Sequence, residues 1–315
     1  MAEPATGTRK PHWLVFIKGM AMGVADSVPG VSGGTIAVVT HIYDELIFSL
    51  RAINLTALRL LFNSGVKSAW SYINGNFLLV LLAGIVLALW LSANTVLYLL
   101  AHFFEPLMAF FIGLVLASSW TLRVRIDSFN VKRLAALMLG VLLTLAISSL
   151  TPRTGDVSAV YLFFCGMIAI CAMILPGLSG AFLLLILGVY NNVMEALIAF
   201  DLPVIAVFVS GCAIGLLGFS RLLGWALYRH PQVSYAGLTG MLLGSVYVLW
   251  PWQQPLAWYT DSGGERHVLQ SGNVLPLNYE DLTGTDPQIL LVLTAVVAGA
   301  ALILIMERLF AARQP

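Results

Sequence analysis

The feature that most constrains this chain is a set of six apolar runs, each close to the roughly 20 residues that a helix needs to cross a bilayer. The runs occupy residues 77–100, 106–122, 131–150, 203–227, 233–250 and 288–307. Of the 315 residues, 59% are hydrophobic and only 10% are charged, which leaves little sequence for a separate soluble domain. We therefore predict an all-α polytopic membrane protein that forms a single membrane domain over residues 1–315.

Two further apolar segments are interrupted by the same motif, P-G-x-S-G, which begins at Pro29 in one segment and at Pro176 in the other. Aligning the two prolines, at an offset of 147 residues, also matches their surroundings without a gap, and later matches follow at an offset of 127 residues. The matched pairs are Gly19 with Gly166, Gly30 with Gly177, Ser32 with Ser179, Gly33 with Gly180, Tyr43 with Tyr190, Gly84 with Gly211, Gly113 with Gly240 and Ser118 with Ser245. The series predicts a tandem duplication whose first copy holds about 20 extra residues, within 51–76.

The distribution of Lys and Arg predicts that the two copies have opposite orientations in the membrane, because short cytoplasmic loops are enriched in these residues. Basic residues flank the first motif on both sides, whereas the loop after the second motif contains Glu195 and Asp201 but no Lys or Arg. The segment 251–287 holds five carboxylates against Arg266 alone, and Arg153 is the single exception to the rule. Both termini are thus predicted to be cytoplasmic.

These orientations predict two inverted-topology repeats, each made of a re-entrant helical hairpin broken at P-G-x-S-G plus three transmembrane helices. Repeat one covers 13–150, with its hairpin at 13–50 and spans at 77–100, 106–122 and 131–150. Repeat two covers 158–308, with its hairpin at 158–195, spans at 203–227, 233–250 and 288–307, and an outer loop at 251–287.

Proline and glycine at the centre of each hairpin end one half-helix and allow another to start at membrane depth. Such backbone is tolerated there only where it is buried in protein or lines a watery cavity. Ser32 or Thr35 in the first copy and Ser179 in the second are placed to cap the new half-helix. Two capped helix N-termini that face each other form a site for an anion, above all phosphate. The alternative is a simple kink where helices cross closely.

Two charged residues lie at predicted membrane depth, where an unpaired charge is costly. Asp26 precedes the first motif, and its carboxylate is placed to carry a coupling proton, to pair with a cation or to cap the hairpin backbone. Arg221 lies within the span 203–227, where it either binds an anionic substrate or extends to the cytoplasmic interface. The sequence leaves these alternatives open.

An enzymatic function is not predicted. Membrane lipid phosphatases need a nucleophilic His or a metal cluster, but the five His residues are scattered and no acidic metal motif accompanies them. No metal site or cofactor is therefore expected, and the net charge of +1, without a dense basic tract, gives no basis for binding nucleic acid.

The stretches G-M-A-M-G-V-A-D-S-V-P-G-V-S-G-G-T-I-A (19–37) and I-L-P-G-L-S-G-A-F-L-L-L-I-L-G-V-Y (174–190) resemble the bacterial polyprenyl-phosphate transporter family. The resemblance implies a protein of the bacterial inner membrane that moves undecaprenyl phosphate, the lipid carrier of cell-wall precursors, from the outer to the inner leaflet for reuse. Its motif positions fall here on Pro29, Gly30, Ser32, Gly33, Gly34, Thr35, Pro176, Gly177, Ser179 and Gly180. The second motif departs at Ala181, where a small polar residue is expected.

The predicted substrate-binding residues are these motif positions together with Asp26, Ser27 and Arg221. The expected partners are the polyprenyl-phosphate substrate and the surrounding membrane lipids. Coupling to H⁺ or Na⁺ and assembly as a homo-oligomer stay open. The rival functions are an ion-coupled carrier of a small soluble anion and a membrane scaffold that transports nothing.

Overall fold

The computed structural model describes residues 11–26, 32–126, 128, 130–150, 157–260 and 266–311. The first half of the chain contains α1 (His12–Asp26), α2 (Gly33–Val39), α3 (Tyr43–Arg51), α4 (Leu55–Ser64), α5 (Val66–Tyr72), α6 (Gly75–His102), α7 (Phe104–Leu122), a 3₁₀ turn (Arg123–Arg125) and α8 (Val131–Ser148). The second half contains α9 (Ala159–Ile174), α10 (Gly180–Ile186), α11 (Tyr190–Ala199), α12 (Leu202–Arg229), α13 (Pro231–Val248), β1 (Gln253–Thr260), β2 (Arg266–Asn273), α14 (Pro276–Thr283) and α15 (Ile289–Ala311).

Side-chain caps fix where several of these helices begin. Asn54, Asn130, Ser158 and Asp201 each accept a hydrogen bond from an amide in the first turn of the helix that follows, α4, α8, α9 and α12 respectively. Such caps satisfy N–H groups that have no partner inside the helix. The helix boundaries therefore follow from local sequence as well as from the apolar runs.

The described chain is a mainly helical, polytopic membrane protein, as predicted. Three of its helices (Phe104–Leu122, Val131–Ser148 and Leu202–Arg229) are long and apolar enough to cross a membrane, or five spans result if two bent helix pairs each count as one. The six predicted runs coincide with α6, α7, α8, α12, α13 and α15. By this measure α13 falls short because it contains several polar residues. Within the described side chains, Ile289–Ile305 of α15 counts as a shorter apolar helix.

The segment 251–287, predicted only as a loop, contains secondary structure of its own. Strands β1 and β2 pair antiparallel, from Gln253 opposite Asn273 to Thr260 opposite Arg266, with an irregular register after Pro255. The following α14 is held against α7, where the Tyr279 phenol donates a 2.6 Å hydrogen bond to the Glu105 carboxylate. Burial and this bond raise the pKa of the Tyr279 phenol.

Four long helix contacts organise the core, and they occur as two matched sets. Helix α1 packs on α6 as α9 packs on α12, and α7 packs on α15 as α13 packs on α8. A large buried cluster joins both hairpins to α7 and α13. Its members include Val15, Ile36, Ile42, Leu114, Ile174, Leu178, Leu238 and Leu242.

Glycines at matched positions make the closest approaches between these helices. A Cβ atom at Gly84 would overlap the carbonyl oxygen of Phe16, and one at Gly211 would overlap that of Phe163. The two phenylalanines are themselves matched at the offset of 147 residues that relates the two motifs. The same backbone contact is therefore present once in each half.

The second set of helices repeats this pattern. A Cβ atom at Gly113 of α7 would overlap the carbonyl oxygen of Val296 in α15, and one at Gly240 of α13 would overlap that of Leu137 in α8. Because only a hydrogen occupies these positions, the helix backbones approach more closely than any larger side chain permits, as is common between membrane helices.

Candidate functional site

The described end of the first motif, Ser32 and Gly33, lies at the tip of a helical hairpin made by α1 and α2. At the open end of the hairpin, the Lys18 ammonium group donates a 2.6 Å hydrogen bond to the Thr40 carbonyl oxygen. At the tip, the Gly33 amide donates a 2.6 Å hydrogen bond to Oδ1 of Asp26, the last residue of α1. The two helices therefore run antiparallel. The predicted site residues Ser27, Pro29 and Gly30 lie outside the described residues.

The second motif forms the tip of an equivalent hairpin made by α9 and α10. At its open end the Tyr161 phenol donates to the Leu187 carbonyl oxygen over 2.8 Å. Thr40 and Leu187, the two acceptors at the hairpin ends, are matched at the offset of 147 residues. At this tip Pro176 is fully buried, and Gly177 has a φ of +83°, which favours glycine over residues with a side chain.

The two tips contact each other directly. The Gly177 amide of the second tip donates a 3.0 Å hydrogen bond to the Thr35 hydroxyl of the first. In the other direction, the Ser32 hydroxyl lies 3.2 Å from the Met173 carbonyl oxygen and 3.3 Å from that of Leu175. The structure thus brings together predicted site residues that are more than 140 positions apart in sequence.

Backbone packing makes this contact close. A Cβ atom at Gly34 would lie 2.5 Å from the Ile174 carbonyl oxygen and 3.1 Å from that of Met173. The corresponding residue of the second tip is Ala181, which is exposed, so its methyl group is accommodated there. The departure from the family pattern at Ala181 is therefore compatible with the packing of the tips.

The two tips differ in which groups accept hydrogen bonds from the first amides of α2 and α10. In the first tip Asp26 accepts from Gly33, and the Ser32 hydroxyl accepts from the Gly34 amide over 3.1 Å. In the second tip the Ser179 hydroxyl accepts from the Phe182 amide over 3.4 Å. The amides of Gly180 and Ala181 donate to no atom of the residues that the structure describes. The first tip thus carries its own carboxylate, and the second does not.

A small cavity of about 10 Å³ lies beside the second tip. The tip lines it with Gly177, Leu178, Ser179 and Phe182, and the other lining residues are Thr144, Ile147, Ser148 and Val248. This volume accommodates about one water molecule and is too small for a phosphate group.

Thr144 and Ser148 bring two further hydroxyl groups to the cavity, although neither is among the predicted site residues. The two residues are four positions apart, so both lie on one face of α8. Two hydroxyl residues on one face of an apolar span are the sequence feature from which they could have been predicted. The Thr144 hydroxyl bonds to the Gly140 and Met241 carbonyl oxygens, and the Ser148 hydroxyl bonds to that of Leu145.

Arg221 is not placed with the tips. Its guanidinium donates a 3.4 Å hydrogen bond to the Ile53 carbonyl oxygen, in the short segment between α3 and α4, and the side chain is exposed. Close by, Gly224 of α12 packs against the Arg51 side chain. Arg221 therefore joins α12 to the corner between α3 and α4.

Within the described ranges, no group of three His, Cys, Asp or Glu side chains is arranged to hold a metal ion. The tips instead bring hydroxyl and amide groups together where the two helical hairpins meet, and Ser32, Thr35 and Gly177 are buried there. Such donors suit an anion with several acceptor oxygens.

Comparison with known proteins identifies the family of this chain. The sequence model of the undecaprenyl phosphate translocase-like family matches residues 22–267. A polyprenyl-phosphate transporter of Vibrio cholerae serotype O1 is 41% identical over 302 residues, which are 96% of this chain and 98% of that protein. A polyprenyl-phosphate transporter of Staphylococcus aureus is 31% identical over 259 residues, which are 76% of this chain and 86% of that protein. No solved structure matches the chain.

The family and both relatives are described as transporters rather than enzymes, in agreement with the prediction that the chain has no catalytic site. The resemblance noted in the two P-G-x-S-G stretches is confirmed by matches that extend over nearly the whole chain. The chain therefore belongs to the undecaprenyl phosphate translocase-like family.

Proposed function

We propose that this protein transports undecaprenyl phosphate, or a closely related polyprenyl phosphate, from the outer to the inner leaflet of the bacterial cytoplasmic membrane. Its role is to return the lipid carrier for another round of cell-wall precursor synthesis. The names of the family and of both relatives support the substrate. The observation that carries the proposal is the contact between the tips, where Ser32, Thr35 and Gly177 place hydrogen-bonding groups around one buried point.

Alternating access follows from two inverted repeats that exchange conformations about this point. Such a duplication is supported by the matched helix pairs. It is also supported by matched backbone contacts, at Gly84 and Gly211 and at Gly113 and Gly240. In this arrangement α1–α3 and α9–α11 are re-entrant hairpins that enter from opposite faces. Both termini are cytoplasmic, and the segment 251–287 lies on the outer face.

Phosphate binding requires the tips to separate, because the cavity beside Ser179 is too small for the headgroup. In the closed form the tips use their donors on each other, as in the bond from Gly177 to Thr35. On binding, phosphate oxygens replace the carbonyl and hydroxyl acceptors of the opposite tip. The exchange offsets the lost hydration of the headgroup, which an apolar pathway does not do. The isoprenoid chain stays in lipid throughout.

Removing the hydroxyl groups of both tips tests the proposal. We expect the double variant Ser32→Ala/Ser179→Ala to translocate a labelled polyprenyl phosphate at least about 100-fold more slowly, because each hydroxyl bonded to a charged group contributes about 1.5–3 kcal/mol. The assay uses proteoliposomes and follows loss of the headgroup from one leaflet, with and without proton and sodium gradients.

The control variant is Ser210→Ala/Thr294→Ala, which also removes two helix hydroxyls, both of them exposed and bonded only to carbonyls of their own helix. It should transport at the wild-type rate. A neutral polyprenol should not be moved by any variant. Transport of a soluble phosphate or carboxylate, with no movement of the lipid, would instead support a carrier of small anions. Wild-type transport by the tip variant would move the substrate site elsewhere.

Variants of Arg221 and Arg229, both in α12, distinguish a role of Arg221 in substrate binding from a structural role. We expect Arg221→Ala to slow transport several-fold and to leave the affinity for the lipid phosphate within about twofold of wild type, because Arg221 bonds to the Ile53 carbonyl oxygen instead of to a tip. Arg229→Ala should alter neither quantity. Binding is measured in detergent and transport in proteoliposomes. A loss of affinity confined to Arg221→Ala would show that this guanidinium reaches the phosphate.

A further inference from the structure

The extra residues of the first half form a pair of short helices with no counterpart in the second half. Helices α4 and α5 lie within the segment 51–76 and pack on each other, whereas only Phe200 and Asp201 separate α11 from α12. Within α4 and α5 only Ala57 and Ala69 are buried. The pair therefore projects from the helical core and has a surface that the rest of the described chain does not cover.

That surface is apolar on one side of each helix. Leu55 and Phe62, seven positions apart on α4, are 71% and 78% exposed, and Val66, at the start of α5, is 69% exposed. Positions seven apart lie on the same face of a helix. Leu58 and Leu61 of α4 and Trp70 of α5 are also exposed and extend this face. The polar residues Thr56, Asn63, Lys67 and Ser71 lie on the other sides.

The angle between α5 and α6 shows how this face is oriented relative to a membrane. The two helices bend by 71° at a break of two residues, where Asn74 adopts a left-handed conformation. Since the long apolar helix α6 crosses the bilayer, α5 runs closer to the membrane plane than to its normal. Neither α4 nor α5 is long enough to cross a bilayer, so an apolar face on this pair suits the interface.

The charge of the pair indicates which lipids it fits. Arg51, Arg59 and Lys67 all lie in or beside these helices, and the sequence contains no carboxylate between Glu45 and Glu105. A short interfacial helix with basic residues beside an apolar face binds most strongly to a leaflet that contains anionic phospholipid. Trp70 and Tyr72 are also of the types that are enriched at the level of the headgroups.

We propose that the α4–α5 pair is a lipid-binding surface that lies in the headgroup region of one leaflet, with its apolar face among the acyl chains and its basic residues on anionic phospholipid headgroups. The inner leaflet follows from the proposed topology, but binding of the pair to a leaflet does not depend on what the protein transports.

The surface is also tied to the first hairpin. Asn74, at the corner between α5 and α6, donates to the Glu45 carboxylate over 3.2 Å and to the Ser49 hydroxyl over 3.4 Å, both on α3. Arg221 holds the segment between α3 and α4 through the Ile53 carbonyl. Lipid bound to α4–α5 therefore fixes the position of α3 and, through α3, the base of the hairpin that carries the first tip.

Site-directed spin labelling of two adjacent residues tests this surface. The single-cysteine variants Phe62→Cys and Asn63→Cys are made in a chain whose Cys165, Cys171 and Cys212 are replaced by Ala and whose transport activity is verified. Each carries a nitroxide in proteoliposomes of phosphatidylethanolamine with or without phosphatidylglycerol. Collision rates with oxygen and with a water-soluble nickel complex give the depth of each label.

We expect the Phe62→Cys label about 5–10 Å below the headgroups and the Asn63→Cys label in water. Phosphatidylglycerol should deepen the first label, and Arg59→Ala/Lys67→Ala should remove that dependence. Two water-exposed labels in both lipid mixtures would overturn the proposal, as would spin–spin broadening that identifies a second copy of the chain on this face. Leu58→Cys gives the same readout if Phe62→Cys does not fold. Because depth is measured without substrate, this result stands apart from the transport assay.

Discussion

Replacing Gly34 with alanine is expected to slow transport about 10- to 100-fold while the protein remains folded. The added methyl group would lie 2.5 Å from the Ile174 carbonyl oxygen, and backbone atoms cannot rotate away as a flexible side chain can. The first tip has little room to retreat, because Asp26 and Ser32 hold the start of α2 through the Gly33 and Gly34 amides. Overpacking of this kind costs about 1–3 kcal/mol.

The measurement is the initial translocation rate in proteoliposomes, together with the unfolding temperature of the purified protein. Gly218→Ala is the matched control, because Gly218 lies in an exposed stretch of α12 and a Cβ atom there would meet nothing within 4 Å. It should leave the rate unchanged and, as a glycine-to-alanine change inside a helix, slightly raise stability. A Gly34→Ala protein that transports like wild type would show that the closed contact between the tips is not required in the transport cycle.

The second large effect is expected at the helix crossings. Gly113→Val and Gly240→Val should each destabilise the fold by about 1–3 kcal/mol or more, and by similar amounts. At both positions the new side chain would overlap a carbonyl oxygen of the facing helix, that of Val296 or of Leu137, so the helices must separate along their length. Close backbone approach is a main source of helix association in membranes, where burial of apolar surface contributes little.

Thermal unfolding in detergent and the fraction of protein extracted in folded form measure this effect. Gly218→Val serves as the control for the loss of a helix glycine without a crossing. If only one of the two crossing variants were destabilised, the two halves would not share the same packing, and the duplication would be limited to the hairpins.

Much of this arrangement could be predicted from residue spacing. The offsets of 147 and 127 residues pair the glycines that make equivalent backbone contacts, because a duplicated fold must keep the same close approaches in both copies. The spacing also predicts that the tips meet, because the predicted topology places two hairpins with the same break on opposite faces of one membrane.

Other features depend on interactions that spacing alone does not determine. The bond between Asp26 and Gly33 was one of three alternatives, because a carboxylate near a helix N-terminus has the same sequence signature whether it caps, titrates or binds a cation. Arg221 bonds to the Ile53 carbonyl because of the rotation of α12 about its axis, which periodicity leaves undetermined. The sequence predicts the α4–α5 pair only as extra length in the first copy, because short interfacial helices lack the long apolar run that marks a span.

Asp26 has a consequence for the step of the proposed transport cycle in which no lipid phosphate is bound. Its carboxylate already accepts a hydrogen bond from the Gly33 amide at the start of α2. An incoming phosphate would be stabilised most at this same position, by the positive end of the helix dipole. A phosphate that takes this position must displace a resident anion, and its release allows that anion to return. In the unloaded protein the Gly33 amide of the first tip therefore keeps a partner, and in the proposed cycle binding at this tip becomes an exchange of one anion for another. In such an exchange, selectivity depends on the difference between a carboxylate and a phosphate, which favours the ligand with more acceptor oxygens.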